Sequence, residues 1–131
     1  MLEKLKLLEN NIAELESFRK RYSLKNIQSE EPQEWALRYG LFESIQITID
    51  IACHLVSKYN LGTPGTYSEC IELLQQFDYL DLNLSQKLTS MIGLRNLPVH
   101  EYIKIDLEQL YNMLKSSSDF KAFAKSVDEY L

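Results

Sequence analysis

Arg95 and His100 stand five residues apart and give the chain its clearest chemical option. Arginine is a permanent cation whose planar donor fork fits phosphate oxygens. Histidine titrates near neutrality and can give or take a proton. Together they supply what metal-free RNA cleavage requires. One group moves the protons of the 2′-hydroxyl and the leaving 5′-oxygen, and the other places positive charge on a phosphorane-like transition state. Asn96 can orient the phosphate or His100, and Tyr102 offers a hydroxyl two residues further on.

All four lie in the stretch M-I-G-L-R-N-L-P-V-H-E-Y, Met91 to Tyr102. In a regular helix five residues rotate the direction by about 140°, so Arg95 and His100 would not share a face. Pro98 between them rules out one undisturbed helix. Either that irregularity or a second copy of the motif from another chain has to bring the pair together. The competing structural reading is a hydrogen-bonded cluster at a helix end.

The elements that must position this stretch read as helices. Leu2, Leu5, Leu8, Ile12, Leu15, Phe18 and Tyr22 recur at helical steps. The basic residues Arg19, Lys20, Arg21 and Lys25 collect at the far end, where they complement the helix dipole or form a shoulder for a phosphate-bearing substrate. A second helix is expected from about Pro32 to Tyr59, with Ser29 or Glu30 near its cap and Pro32 in its first turn. Its apolar set is broad: Leu41, Phe42, Ile45, Ile47, Ile49, Ile51, Ala52, Leu55 and Val56. One bundle face needs less, so another subunit is expected on the second side. Its polar stripe, Glu43, Gln46, Asp50 and His54, is either a satisfied ladder or the lining of a cleft that faces Arg95 and His100. Asp50 and His54 find no third ligand, and no metal site is expected.

Residues 60–66 form the clearest loop. Thr66 and Glu69 match a capping box for a helix to about Phe77. Ser85 is the expected cap of the helix that runs toward Pro98. Ile103 to Ile105 reads as short and extended. Asp106 caps a helix through Leu114, Ser116 to Ser118 break it, and Asp119 caps the last. No strand pattern occurs. The fold expected is an all-α, up-and-down bundle of four main helices plus short ones.

With 131 residues, 45% hydrophobic, the chain is expected to form one domain over residues 1–131. Its net charge of −5 argues against gripping nucleic acid by bulk charge, though not against a small basic site. It lacks a run of 18 apolar residues and a signal-peptide core, so a cytoplasmic protein without membrane contact is expected. In that setting Cys53 and Cys70, with no C-x-x-C, read as buried free thiols.

The segment R-N-L-P-V-H-E-Y resembles the R-x4-H-x-Y signature of HepT-type proteins of the HEPN superfamily. T-Y-S-E-C-I-E-L-L, M-I-G-L-R-N, I-D-L-E-Q-L-Y and I-Q-I-T-I-D-I-A-C-H-L also resemble that family, so the likeness covers about residues 32–115. It implies a helical bundle that dimerises, with two motif copies at a shared cleft. It implies a toxin that is a metal-independent endoribonuclease, in which Arg95 stabilises the scissile phosphate, His100 is the general acid/base and Asn96 assists. It further implies a minimal nucleotidyltransferase antitoxin that transfers AMP to Tyr102, with RNA as substrate and no cofactor. Pro98 and Glu101 depart from the family's usual pattern. The alternative is a non-catalytic helical partner that binds such a nucleotidyltransferase or a nucleotide.

Overall fold

The computed structural model describes residues 1–29 and 31–131, with side chains described outside 27–31 and 99. The described residues form α-helices and short 3-10 turns. The helices are α1 (Leu2–Arg21), α2 (Leu24–Ser29), α3 (Glu31–Lys58), α4 (Tyr67–Gln76), α5 (Leu82–Arg95), α6 (Val99–Ile103), α7 (Leu107–Asn112) and α8 (Ser117–Val127). The all-α bundle expected from periodicity is present. The expected cap at Ser29 or Glu30 lies outside the described side chains.

Helix α3 is the axis of the bundle. At 28 residues it is about 42 Å long. Helices α1, α4, α5, α7 and α8 all pack against it. Leu41, Ile45, Ile47, Ile49, Ile51, Ala52, Leu55 and Val56 are each 5% exposed or less. Apart from half-buried Phe42, the broad apolar set is therefore covered within the chain, and the second subunit invoked to cover it is not required there. A central helix meets neighbours on several sides at once, which a pattern read for one partner face does not anticipate. Gly40 makes one of these approaches close: a Cβ at this position would stand 3.1 Å from Leu15 Cδ2 of α1.

Two hydrophobic clusters result. The larger joins α1, α3, α4, α5 and α8, with Phe120 and Phe123 fully buried. The smaller gathers Leu15, Phe18, Leu37, Leu41, Tyr102, Leu110 and Leu114. It is this second cluster that holds the motif end of the molecule.

Local signals set most boundaries. Asn60 (φ 53°) and Asp78 (φ 65°) take left-handed conformations after α3 and α4. The chain then turns back, with Leu61 N–H donating to Val56 C=O and Tyr79 N–H to Leu74 C=O. Thr66 Oγ1 accepts from Glu69 N–H, while the Glu69 carboxylate reaches Gly65 N–H rather than its own cap residue. Four local expectations need correction. Asp119 lies inside α8, in its first turn, and does not cap it. Asp81, not Ser85, caps α5, by accepting from Leu84 N–H at 2.7 Å; an aspartate one turn earlier gives a longer helix its first acceptor. Residues 103–105 end a helix and turn instead of extending. Ser116 to Ser118 do not break the chain's helical course, because a 3-10 turn (Met113–Ser116) runs into α8.

The cysteines are also corrected. Cys53 of α3 and Cys70 of α4 form a disulfide, with Cα atoms 5.1 Å apart. The loop 60–66 folds α4 back along α3 and brings together two residues that are 17 positions apart in sequence.

Candidate functional site

Pro98 divides the motif between two helices. Helix α5 ends at Arg95, with Asn96 as its C-cap. Leu97 N–H donates to Leu94 C=O, closing the last turn. Pro98 (φ −57°, ψ 149°) is extended and serves as the N-cap of α6. Its missing N–H costs nothing there, and its carbonyl accepts from Glu101 N–H and Tyr102 N–H at 2.9 and 3.0 Å.

Arg95 is held by three neighbours. Its guanidinium carbon lies 5.2 Å from the centroid of the Phe42 ring and 5.9 Å from that of Tyr67. Its Nε–H donates to Gln46 Oε1. Gln46 Nε2–H donates in turn to Asp50 Oδ1 at 2.8 Å, and Lys4 Nζ–H donates to Asp50 Oδ2 at 2.6 Å. A chain of lysine, carboxylate, amide and guanidinium thus runs from α1 through α3 to α5. Among the described residues, the terminal nitrogens of Arg95 make no hydrogen bond. One edge of the fork is anchored, and the other is open to an anion.

His100 and Asn96 are exposed, and among the described residues their side chains make no hydrogen bond. Tyr102 is placed differently. It is 7% exposed, its ring centroid lies 5.5 Å from that of Phe42, and its hydroxyl donates to Arg38 C=O at 2.5 Å. Burial pushes its pKa up to about 12, partly countered by the Arg38 cation. At neutral pH it is an un-ionised phenol turned toward α3. Phe42 is the hub of the arrangement, since Arg95 and Tyr102 both rest against its ring.

The polar stripe divides among different tasks. Asp50 reaches Arg95 through Gln46. Glu43 accepts from Asn11 at 2.8 Å, and its carboxyl is held below the usual range by hydrogen bonds from Tyr39 and Asn11. His54 lies eight residues beyond Gln46, about 12 Å further along α3. Among the described residues it makes no hydrogen bond, and no three His, Cys, Asp or Glu side chains gather as a metal set.

Arg38 carries more of the site than its sequence context suggested. It is 9% exposed, and its nitrogens donate to Tyr102 C=O (3.1 Å), Ile105 C=O (2.9 Å) and Glu34 Oε1. Only the Glu34–Arg38 spacing of four residues was visible as a signal. Beside it opens an apolar cleft of about 340 Å³, lined by Trp35, Arg38, Tyr39, Phe42, Tyr102 and Ile103.

Comparison with known proteins agrees with this architecture. Residues 8–127 match the model of the family described as ribonuclease HepT-like. The mRNA nuclease HepT of Shewanella oneidensis is 30% identical over 100 residues, which cover 72% of this chain and 75% of that protein. The tRNA nuclease HepT of Aphanizomenon flos-aquae is 30% identical over 87 residues, 66% of this chain and 59% of that longer protein. Among solved structures, a tri-AMPylated Shewanella oneidensis HEPN toxin in complex with MNT antitoxin shares the fold. The TM-score is 0.86 at 23% identity, covering 98% of this chain and 96% of that one. The chain belongs to the ribonuclease HepT-like family.

Proposed function

We propose that this chain is a metal-independent endoribonuclease and the toxin of a toxin–antitoxin pair. The observation that carries this reading is Arg95, tethered through Nε with its terminal nitrogens open, on the same motif that presents His100 to solvent. A scissile phosphate accepts hydrogen bonds from the open edge. The 2′-hydroxyl attacks the phosphorus, the bond to the 5′-oxygen breaks, and a 2′,3′-cyclic phosphate remains. His100 takes the proton of the nucleophile or supplies the one the leaving oxygen needs, and Asn96 orients the phosphate. In a dimer, two copies of His100 can take one role each. The apolar surface of Trp35, Tyr39 and Ile103 beside the motif suits that second copy. The assembly would sediment at about twice 15.3 kDa. A single 15.3-kDa species at micromolar concentration would remove it.

The control we propose is transfer of AMP to Tyr102 by a minimal nucleotidyltransferase antitoxin. It adds an anionic group to the motif that carries Arg95 and His100. The nuclease names of the relatives and the AMPylated state of the structural neighbour support this reading. Exposed Glu101, adjacent to His100, favours a second reading in which the bundle binds that partner without cutting RNA.

Purified protein incubated with RNA in excess EDTA separates the two. Cleavage is expected, and His100→Ala is expected to lower its rate by about 10²–10⁴-fold. No cleavage at enzyme excess, together with a stable complex with the nucleotidyltransferase, would favour the binding module.

A further inference from the structure

We infer that Arg38 is a positioning residue for His100: with the Tyr102 hydroxyl it forms a two-way latch that holds α6 against α3. Helix α6 has five residues, far fewer than a helix needs to persist on its own. It follows a proline break, so α5 does not extend into it. His100, Glu101 and Ile103 are exposed, and among its described side chains only Tyr102 is buried. The position of His100 therefore depends on what holds Tyr102.

Besides the apolar packing of its ring in the smaller cluster, Tyr102 is held by Arg38 in both directions. The Arg38 fork donates to the carbonyls of Tyr102, which also accepts from Ile105 N–H in the closing turn, and of Ile105, just past the end of α6. Its cation also lies where the helix dipole is negative. In return the Tyr102 hydroxyl donates to the Arg38 carbonyl. Glu34 Oε1 accepts from Arg38 Nε–H and Nη2–H at 3.2 and 2.9 Å, so the fork is itself oriented. The partners are 64 and 67 residues apart, and the bonds join the middle of the bundle to the motif.

For its effect on RNA cleavage this inference rests on the function proposed above, and it adds a route by which modification would act. In AMP transfer the Tyr102 oxygen attacks the α-phosphorus of a nucleoside triphosphate held by the nucleotidyltransferase. An O–P bond forms, the bond to pyrophosphate breaks, and the phenolic proton passes to solvent. The resulting aryl phosphodiester oxygen carries no hydrogen. The latch has to open for the attack and cannot regain its hydroxyl arm afterwards. Modification thus displaces His100 as well as occupying the cleft.

Hydrogen exchange read by mass spectrometry on the full chain tests the latch, beside RNA cleavage by the same samples. In Tyr102→Phe, which keeps the ring, amides of residues 99–105 are expected to exchange about five- to tenfold faster. Exchange in α1, α4 and α8 is expected to stay unchanged. Arg38→Gln should act in the same direction, and Arg38→Lys should restore part of the protection. Cleavage by these variants should lose kcat with little change in KM, because Arg95 still binds phosphate. Unchanged exchange at 99–105 in Tyr102→Phe would overturn the latch, as would equal loosening of the whole bundle. A wild-type chain that cuts no RNA would count against the nuclease reading, and the exchange result would still decide the latch.

Discussion

Arg95 and His100 are set up in opposite ways. Arg95 is half-buried, stacked on Phe42 and Tyr67 and tied by its Nε to Gln46, so its free edge points in a defined direction. His100 is exposed and takes its position from the short helix under it. The types and spacing of these two residues were legible in the sequence, because a cation and an imidazole around a proline are conspicuous. Their supports were not. Gln46 is 49 residues from Arg95 and Arg38 is 64 from Tyr102, and no local pattern reports such pairings. Tyr102 shows the same limit: its place in the motif suggested an available hydroxyl, whereas tertiary packing turns that hydroxyl inward. Gln46→Leu tests the tether. It removes one hydrogen bond to Arg95 and is expected to slow RNA cleavage about fivefold, the equivalent of about 1 kcal/mol, with the melting curve little changed. Full activity in Gln46→Leu would show that stacking alone suffices to place the guanidinium.

At the level of elements, periodicity located the helices well and their partners poorly. The three- and four-residue steps of α1 and the loop at 60–66 are strong signals, and both are found. The expected break at Pro98 is found as well, and it is what permits α6 to leave the line of α5. The breadth of the apolar set on α3 was real, but its cause is the surrounding helices of the same chain. Whether a surface is covered from within or by another copy depends on topology, which a single helix pattern does not carry. The disulfide is a similar case, since only the reversal at 60–66 brings Cys53 and Cys70 together. Closing a segment of 17 residues is expected to stabilise the fold by about 3 kcal/mol. Reduction should lower the urea midpoint by a corresponding amount while the helical circular dichroism persists. An unchanged midpoint would mean that the bridge adds no stability to the α3–α4 pairing.

For the whole molecule, the bundle has a broadly packed body and a motif end that rests on a smaller cluster. The larger cluster fastens α1, α3, α4, α5 and α8, while α6 depends on the smaller cluster and on Arg38. Net charge of −5 leaves long-range attraction of RNA weak, so in the proposed function recognition rests on the local cation at Arg95. Glu101 beside His100 sharpens that dependence. The central claim is that this motif end uses the RNA's own 2′-hydroxyl as nucleophile. Its most direct test is identification of the 3′ ends left by the purified chain in EDTA. The account predicts 2′,3′-cyclic phosphate ends, produced by the wild type and lost in His100→Ala. Ends bearing 3′-hydroxyls, or cyclic phosphates formed equally by His100→Ala, would contradict it.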